Sequence, residues 1–255
     1  MKVSRLSTTP IKGLKLHHPQ SVHITDRGVV GDREFFLTDE SGDMFSPAKT
    51  GELSGFSAVY EEPQSTLTIF ENGVVIAQAD VKLGEPTCGK FFSTWDIPGH
   101  FILGPWEEIF SERLGRPVKM IKAGPERSGT DVGRLTLVSD ASFAALQSSA
   151  KLSELDGRRF RMNIEVEGAD AHDEDTWINR EFIIGTAVIK AGGPVQRCVA
   201  TTRNPETGII DLKTLKLIGD YRGRQESEFG LGFNFGIYAY CIKPGVISVG
   251  DKITS

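Results

Sequence analysis

Apolar residues recur along this chain mostly at every second position, in short runs closed by turn residues, which is the pattern of half-buried strands. Val3 to Leu6 opens the series and stops at the turn Thr9-Pro10-Ile11-Lys12-Gly13. Ser21 to Thr25 puts Val22 and Ile24 on one side. Val29-Val30 and then Glu34 to Thr38 follow, set apart by turns at Asp26-Arg27-Gly28 and Gly31-Asp32. Asp39 to Asp43 reads as a hairpin turn, and Phe56 to Tyr60 and Thr66 to Phe70 as two further strands. Asn72-Gly73 suits the positive φ of a tight hairpin turn and leads into Val74-Val75-Ile76. Residues 84–104, rich in glycine, proline and aromatics, carry no assignable period.

From Gly104 the period turns helical. Trp106, Ile109, Phe110 and Leu114 share a face, and Gly115 is a stop signal. Leu135 to Val138 is a strand, followed by a helix through Phe143 and Leu146 with Ser139 or Asp140 as its cap. Phe160, Met162, Ile164 and Val166 alternate with Arg161, Asn163 and Glu165, which predicts one strand with a core face and a polar face. Phe182 to Ile184 and Ala187 to Lys190 flank a Gly185-Thr186 turn. Thr214 to Ile218 predicts a short helix, and Phe235 to Ile242 and Val246 to Ile253 two closing strands. Many short strands with few helices predict a mainly β fold, α+β in class, of barrels or sandwiches rather than a parallel sheet. The loose link Ala123 to Gly129 sets a boundary near 115–130, giving units 1–118 and 119–255.

Composition excludes more than it selects. The 255 residues are 39% apolar and 25% charged, an ordinary globular balance, with net charge −5 and no basic run. That argues against a nucleic-acid surface while leaving room for a local basic pocket. No apolar run approaches the roughly 18 residues of a membrane span. Cys88, Cys198 and Cys241 are odd in number and widely spaced, without a Cys-x-x-Cys pair, so neither a disulfide framework nor a zinc knuckle is expected. This usage fits a reducing compartment, and a cytoplasmic location is the expectation. Walker, dinucleotide-binding and nucleophile-elbow motifs are absent. His172-Asp-Glu-Asp175 reads as a solvated acidic loop, and Cys241 as a small core residue.

The candidate chemistry centres on Gly193 to Gly208. There Arg197 precedes Cys198, and Asn204-Pro-Glu-Thr-Gly208 forms a turn. A guanidinium stabilises a neighbouring thiolate, and thiolates suit soft metals. A strand-edge cysteine beside a solvent-facing arginine fits the same residues. Lys12, Arg33, Arg161, Asn163 and Arg197 all lie beside turns. Together with Cys198 they would suit an anionic cofactor whose metal end takes a thiolate.

These residues carry a resemblance. Arg159-Phe-Arg-Met-Asn-Ile164, Glu174-Asp-Thr-Trp177, Gln196-Arg-Cys198, Thr201-Thr202, Asn204-Pro-Glu-Thr-Gly208 and Pro244-Gly-x-Ile-x-Val-Gly-Asp251 resemble the MOSC domain. Pro10-Ile-Lys12, Gly31-Asp-Arg33 and Asp39-Glu-x-Gly42 resemble the MOSC N-terminal β-barrel domain that precedes it in the amidoxime-reducing branch. The resemblance implies two β-barrel-like units with a molybdenum cofactor (molybdopterin) between them and Cys198 as metal ligand. It implies Lys12 and Arg33 at the pterin phosphate, Arg161 and Asn163 at the pterin or its phosphate, and Arg197, Ser139, Thr201 and Thr202 as further cofactor contacts. It also implies pyridoxal phosphate binding as an associated property of the class.

The implied reaction is two-electron reduction of an N-hydroxylated small molecule. No ferredoxin-like cysteine cluster follows Asp251, so the electrons are expected from a separate protein, either ferredoxin-like or a cytochrome or flavoprotein reductase. A cofactor or persulfide carrier, and a protein that only mediates interactions, are the alternatives. Gly13 stands where a serine is usual, Met162 where a proline is usual, and Ser46-Pro-Ala-Lys49 where an arginine is common. These departures bear on substrate preference.

Overall fold

The computed structural model describes residues 1–62, 64–92, 95–125, 129 and 132–255. Most predicted strands form, and the two ends of the chain close the largest sheet. Among the described residues that sheet has seven strands, in the order Lys2–Leu6, Ile164–Glu167, Leu135–Ser139, Asn234–Lys243, Ala187–Gln196, Glu181–Ile184 and Ile253–Thr254. An antiparallel bridge between Lys2 and Lys252 brings its two edges together. The amide of Val3 donates to the Asp251 carbonyl at 2.9 Å, and the amide of Ile253 to that of Met1 at 3.0 Å. Closure removes the open edges that would otherwise invite pairing with another chain. Alternate residues of these strands, among them Leu6, Ile164, Leu137, Ile189 and Ile237, fill a barrel-like interior.

The first half of the sequence builds a separate β body, the first of the two in chain order, the barrel being the second. Phe35–Thr38, Lys119–Ala123, Trp95–Leu103 and Lys82–Phe91 form one sheet. Phe56–Glu61, Thr66–Glu71 and Val74–Asp80 form a meander beside it. The helix Trp106–Leu114 buries Trp106, Phe110 and Leu114 against this body and ends at Gly115. A further, three-stranded sheet joins Gly245–Ser248 to Ser21–Thr25 and Gly28–Val29, so residues from both ends of the sequence share one core. Ser139 caps the helix Asp140–Ser149, its hydroxyl accepting from the amide of Ala141.

Several expectations need correction. Residues 84–104 are not irregular: they lie mostly in two long paired strands, Lys82–Phe91 and Trp95–Leu103. Their glycines and prolines hid the period because they serve close packing. A side chain at Gly89 would stand 2.2 Å from the Phe36 ring. Phe160 to Val166 is not one strand. Gly157–Phe160 is a 3-10 turn, Arg161 takes a left-handed backbone (φ 54°), and the strand begins only at Ile164. All four alternating apolar residues are nonetheless buried.

The strand from Ala187 does not stop at Lys190 as expected but continues, with irregular register, through the Gly192-Gly193-Pro194 stretch to Gln196. The final strand is two pieces, Gly245–Ser248 and Ile253–Thr254. The acidic loop is not solvated at its centre. Glu174 is fully buried and accepts from the Ser142 hydroxyl at 2.7 Å, and Asp175 pairs with Arg222. Cys241 packs against the barrel core as expected. Of the expected link, Glu126 to Ser128 lie outside the described residues.

Glu165 is buried within the strand Ile164–Glu167, where its charge opposes its position. Burial pushes its carboxyl up to about 7, against the pull of Arg5, whose Nε donates to it at 2.9 Å; Asp140 and Asp156 push it further up. A raised carboxyl binds its proton more tightly in the folded state. Its contribution is therefore fullest below its unfolded value and declines as pH rises through about 7. Thermal melts from pH 5 to pH 8 are expected to show a steeper decline in wild type than in Glu165→Gln, by roughly 1–3 kcal/mol across the range. Parallel profiles would show that the buried carboxyl is not what sets the slope.

Candidate functional site

A cleft opens between the two β bodies, with about 840 Å³ of empty space counted out to its mouth. Its walls come from both halves of the sequence. Lys12 and Arg33 enter from the first body, together with the Ser46–Ala48 segment and Phe91-Phe92. Arg159, Arg161, Asn163, Arg197 and Cys198 enter from the second. The structure therefore brings together six of the residues expected at a site: Lys12, Arg33, Arg161, Asn163, Arg197 and Cys198. Ser139, Thr201 and Thr202 do not line the cleft. Ser139 caps its helix. The Thr201 hydroxyl donates to the Cys198 carbonyl at 3.0 Å and that of Thr202 to the Val199 carbonyl at 2.6 Å, so both brace the 3-10 turn that follows the cysteine.

The backbone reason for this convergence is visible at Asp32. This buried carboxylate accepts from the Thr9 amide at 2.8 Å and from Asn163 Nδ2 at 3.0 Å, and it pairs with Arg33. Asn163 Nδ2 also reaches the Ser7 carbonyl, and its Oδ1 accepts from the Thr136 hydroxyl at 3.1 Å. One anion thus ties the Thr9–Lys12 turn, the Arg33 corner and the Asn163 segment into a fixed frame. Breaking such a buried network leaves polar groups without partners, which is why it holds a single geometry. Lys12 is then aimed by its Nζ donating to the Gly129 carbonyl at 2.8 Å and lying 4.1 Å from the Phe91 ring centre.

Arg33 and Arg161 both adopt left-handed backbone conformations (φ 52° and 54°). A non-glycine residue there carries strain, of order 1–3 kcal/mol, and such residues cluster at functional sites. The strain turns both side chains into the cleft, where Arg33 Nη2 donates to the Arg161 carbonyl at 3.1 Å and Arg161 Nη2 to the Leu14 carbonyl at 2.8 Å. The Arg197 guanidinium donates to the Phe160 carbonyl and lies 5.3 Å from the Phe160 ring centre. Arg159 is held by Asp211 through two bonds, at 2.6 and 3.0 Å. The lining thus has five cationic side chains and, among the described residues, no aspartate or glutamate, in a protein of net charge −5. Cys198 is exposed to it and forms no disulfide. No group of three or more His, Cys, Asp or Glu residues among the described residues is arranged to hold a metal, so one soft thiol faces a cationic wall.

Sequence reasoning did not assign Arg159 or Asp32 to the site. Both stood inside quoted motifs, Arg159 two residues before Arg161 and Asp32 between Gly31 and Arg33. Their roles depend on contacts across long stretches of chain, which spacing does not report. A second junction between the two bodies was likewise invisible. Gly51 and Gly208 meet backbone to backbone, so that a Cβ on either would fall 2.1 or 2.0 Å from the other's carbonyl oxygen. Arg203 fastens the same contact, donating to the Pro47 carbonyl at 2.7 Å and the Gly208 carbonyl at 3.0 Å.

Comparison with known proteins agrees with this architecture. The model of the MOSC domain matches residues 124–254, and that of the MOSC N-terminal β-barrel domain matches residues 1–97. The chain belongs to the MOSC domain family. It is 34% identical over 176 residues to human "Mitochondrial amidoxime-reducing component 1", covering 65% of this chain and 51% of that protein. It is 37% identical over 127 residues to "Mitochondrial amidoxime reducing component 2" of Macaca fascicularis, covering 48% of this chain and 37% of that protein. "Molybdenum cofactor sulfurase" of Drosophila erecta is 27% identical over 98% of this chain and 33% of its own length. The chain thus spans about half the length of these curated relatives, or less.

Two predictions follow from the geometry of the walls. Arg161→Gly and Arg161→Ala both remove the charge, yet glycine relieves the left-handed strain and alanine does not, so the glycine variant is expected to be more stable by about 1 kcal/mol in urea unfolding. Equal stability would mean the backbone at 161 is unstrained. Gly51→Ala is expected to lower stability by on the order of 1–3 kcal/mol, because the backbones at 51 and 208 must part to admit a methyl group. An unchanged urea midpoint would contradict that contact.

Proposed function

We propose that this protein binds a molybdenum cofactor, as molybdopterin, between units 1–118 and 119–255, and that it reduces N-hydroxylated small molecules by two electrons with Cys198 as the metal ligand. The observation that carries the reading is the cleft lining, which joins one accessible thiol to five cations with no described carboxylate residue among them. That donor set fits a phosphate-bearing pterin whose metal is already held by sulfur. A thiolate is the soft ligand such a metal takes. A phosphate dianion takes ammonium and guanidinium partners.

Each residue then has a task. Lys12 and Arg33, held in the Asp32 frame, supply the phosphate site. Arg161 and Asn163 face the pterin or its phosphate, and Arg197 and Arg159 add positive charge beside the thiol. Thr201 and Thr202 act indirectly by bracing the turn after Cys198, and Ser139 by fixing the helix behind the barrel wall. When bound, the cofactor supplies the two-electron redox chemistry and an open coordination position. For a hydroxylamine the balance is R–NHOH plus two electrons and two protons, giving R–NH2 and water, with the electrons delivered by a separate ferredoxin-like, cytochrome or flavoprotein donor. Pyridoxal phosphate would draw on the same cationic lining but makes no use of the thiol, so the thiol favours the molybdenum reading. Among the described residues no helix is long and apolar enough to cross a membrane.

A carrier that hands on the cofactor, or sulfur on Cys198, is a second reading, favoured by the likeness to the sulfurase along nearly the whole chain. Turnover separates the two. Protein made in cofactor-producing cells is expected to reduce hydroxylamine and benzamidoxime with reduced viologen as donor. Cys198→Ser is expected to lower kcat by at least about 100-fold, since even outer-sphere changes at metal sites cost 10–100-fold. Full activity in Cys198→Ser would sink the mechanism, and bound cofactor without turnover in wild type would favour the carrier.

A further inference from the structure

An aromatic row that the cofactor reading does not use starts in the cleft wall at Phe91 and Phe92 and runs beyond the lining to Trp95 and Phe229. Phe91 and Phe92 lie at the turn that ends the strand Lys82–Phe91, and both line the cleft. Their ring centres are 4.2 Å apart. Phe91 continues the row to Trp95 at 6.0 Å, and Trp95 to Phe229 at 6.1 Å. The row therefore begins on the first β body and ends on the second.

Phe229 is brought there by a tight hairpin. Gln225 bridges Gly232, and Ser227 and Gly230 exchange backbone bonds at 3.1 and 3.0 Å. The hairpin is docked on the cysteine segment. The Ser227 hydroxyl donates to Gln196 Oε1 at 3.2 Å, Gly232 lies against the Gln196 side chain, and the Arg197 amide donates to the Phe233 carbonyl at 2.7 Å. Gln196 is itself part of the cleft wall, two residues before Cys198.

The four rings differ in what they have left to offer. Phe91 is buried, with the Lys12 ammonium 4.1 Å from its ring centre. Phe92 and Phe229, by contrast, are 51% and 42% exposed. Phe92 is held there by a left-handed backbone (φ 52°), a strained way to place an aromatic ring in water. Exposed aromatic faces beside a polar reaction chamber are the usual means of holding the flat apolar part of a small molecule. The opposite side of the cleft is cationic, so a ligand's polar end and its ring would be sorted to different walls.

We propose that Phe92 and Phe229 form a specificity wall for a planar aromatic group, which selects ring-bearing N-hydroxylated substrates over aliphatic ones of the same reactive group. This rests on the functional reading above for the reactive end of the substrate, but the wall itself is a binding element and is tested by binding. The probes are benzamidoxime and acetamidoxime, which share the amidoxime and differ in the ring. Trp95 stands in the row, while the other two tryptophans, Trp106 and Trp177, are buried, so quenching of tryptophan fluorescence reports occupancy without turnover.

In the holoprotein, benzamidoxime is expected to bind more tightly than acetamidoxime. Phe92→Leu and Phe229→Leu keep apolar volume and remove the aromatic face. Each is expected to reduce the ratio of the two affinities by about 3- to 10-fold, the size of one aromatic pair, whereas Phe229→Tyr keeps it. The ratio of kcat/KM values for the two compounds is expected to fall in step. An affinity ratio that is the same in wild type and both leucine variants, or no quenching by benzamidoxime at all, overturns the wall. Selective binding without reduction of either compound would uphold the wall and remove the reductase reading instead.

Discussion

Five positive side chains around one small cleft are the constraint on which the rest of this structure depends. Two unit charges about 8 Å apart repel by roughly 2 kcal/mol at an effective dielectric of 20, and the lining multiplies such pairs. The fold offsets this from behind the wall rather than inside it. Asp32 sits beneath Arg33, Asp211 beneath Arg159, and the carbonyls of Leu14, Gly129 and Phe160 receive Arg161, Lys12 and Arg197. The carboxylates that face the cations from behind leave the described surface of the cleft without an acid. A site arranged in this way is complementary to an anion, which would offset the remaining repulsion and explain why two arginines are held in strained backbones to face it.

The topology serves the same end. The first strand and the last close the barrel against each other, and the chain between them leaves to build the first body and returns. The Thr9–Lys12 turn and the Arg33 corner lie where the chain passes from one body to the other. Asp32, Asn163 and Thr136 lock that passage to the barrel. The Gly51–Gly208 contact and the bond from Arg203 to the Pro47 carbonyl join the bodies again at a second place. The two bodies are thus tied at two places, by side-chain hydrogen bonds at one and by a close backbone contact at the other.

Much of this was legible in the sequence, but unevenly. Alternating patterns located most strands, and Ser139 and Gly115 marked the ends of helices where the structure has them. Lys12, Arg33, Arg161, Asn163 and Arg197 stood out beside turns, and the structure gathers them with Cys198 around one cleft. Period failed where backbones approach closely, as at Gly89 under Phe36, because glycine in a strand interior carries no face to count. It also misled at Arg161, where apolar residues alternate in the sequence although the backbone does not run as a strand and the intervening Asn163 and Glu165 are buried too. Asp32 and the aromatic row stayed hidden for a different reason. Each acts through contacts between segments distant in sequence, and local spacing holds no record of them.

The central claim is that the cationic cleft and its thiol hold a molybdenum-bearing pterin. The most direct test is to measure molybdenum and pterin together in protein freshly purified from cofactor-producing cells, wild type beside Lys12→Ala and Cys198→Ala. The account predicts near-stoichiometric molybdenum and pterin in wild type, with both lowered when the phosphate site loses Lys12 and molybdenum lowered when the thiol is removed. Wild-type protein carrying neither, or variants that retain both in full, would contradict it.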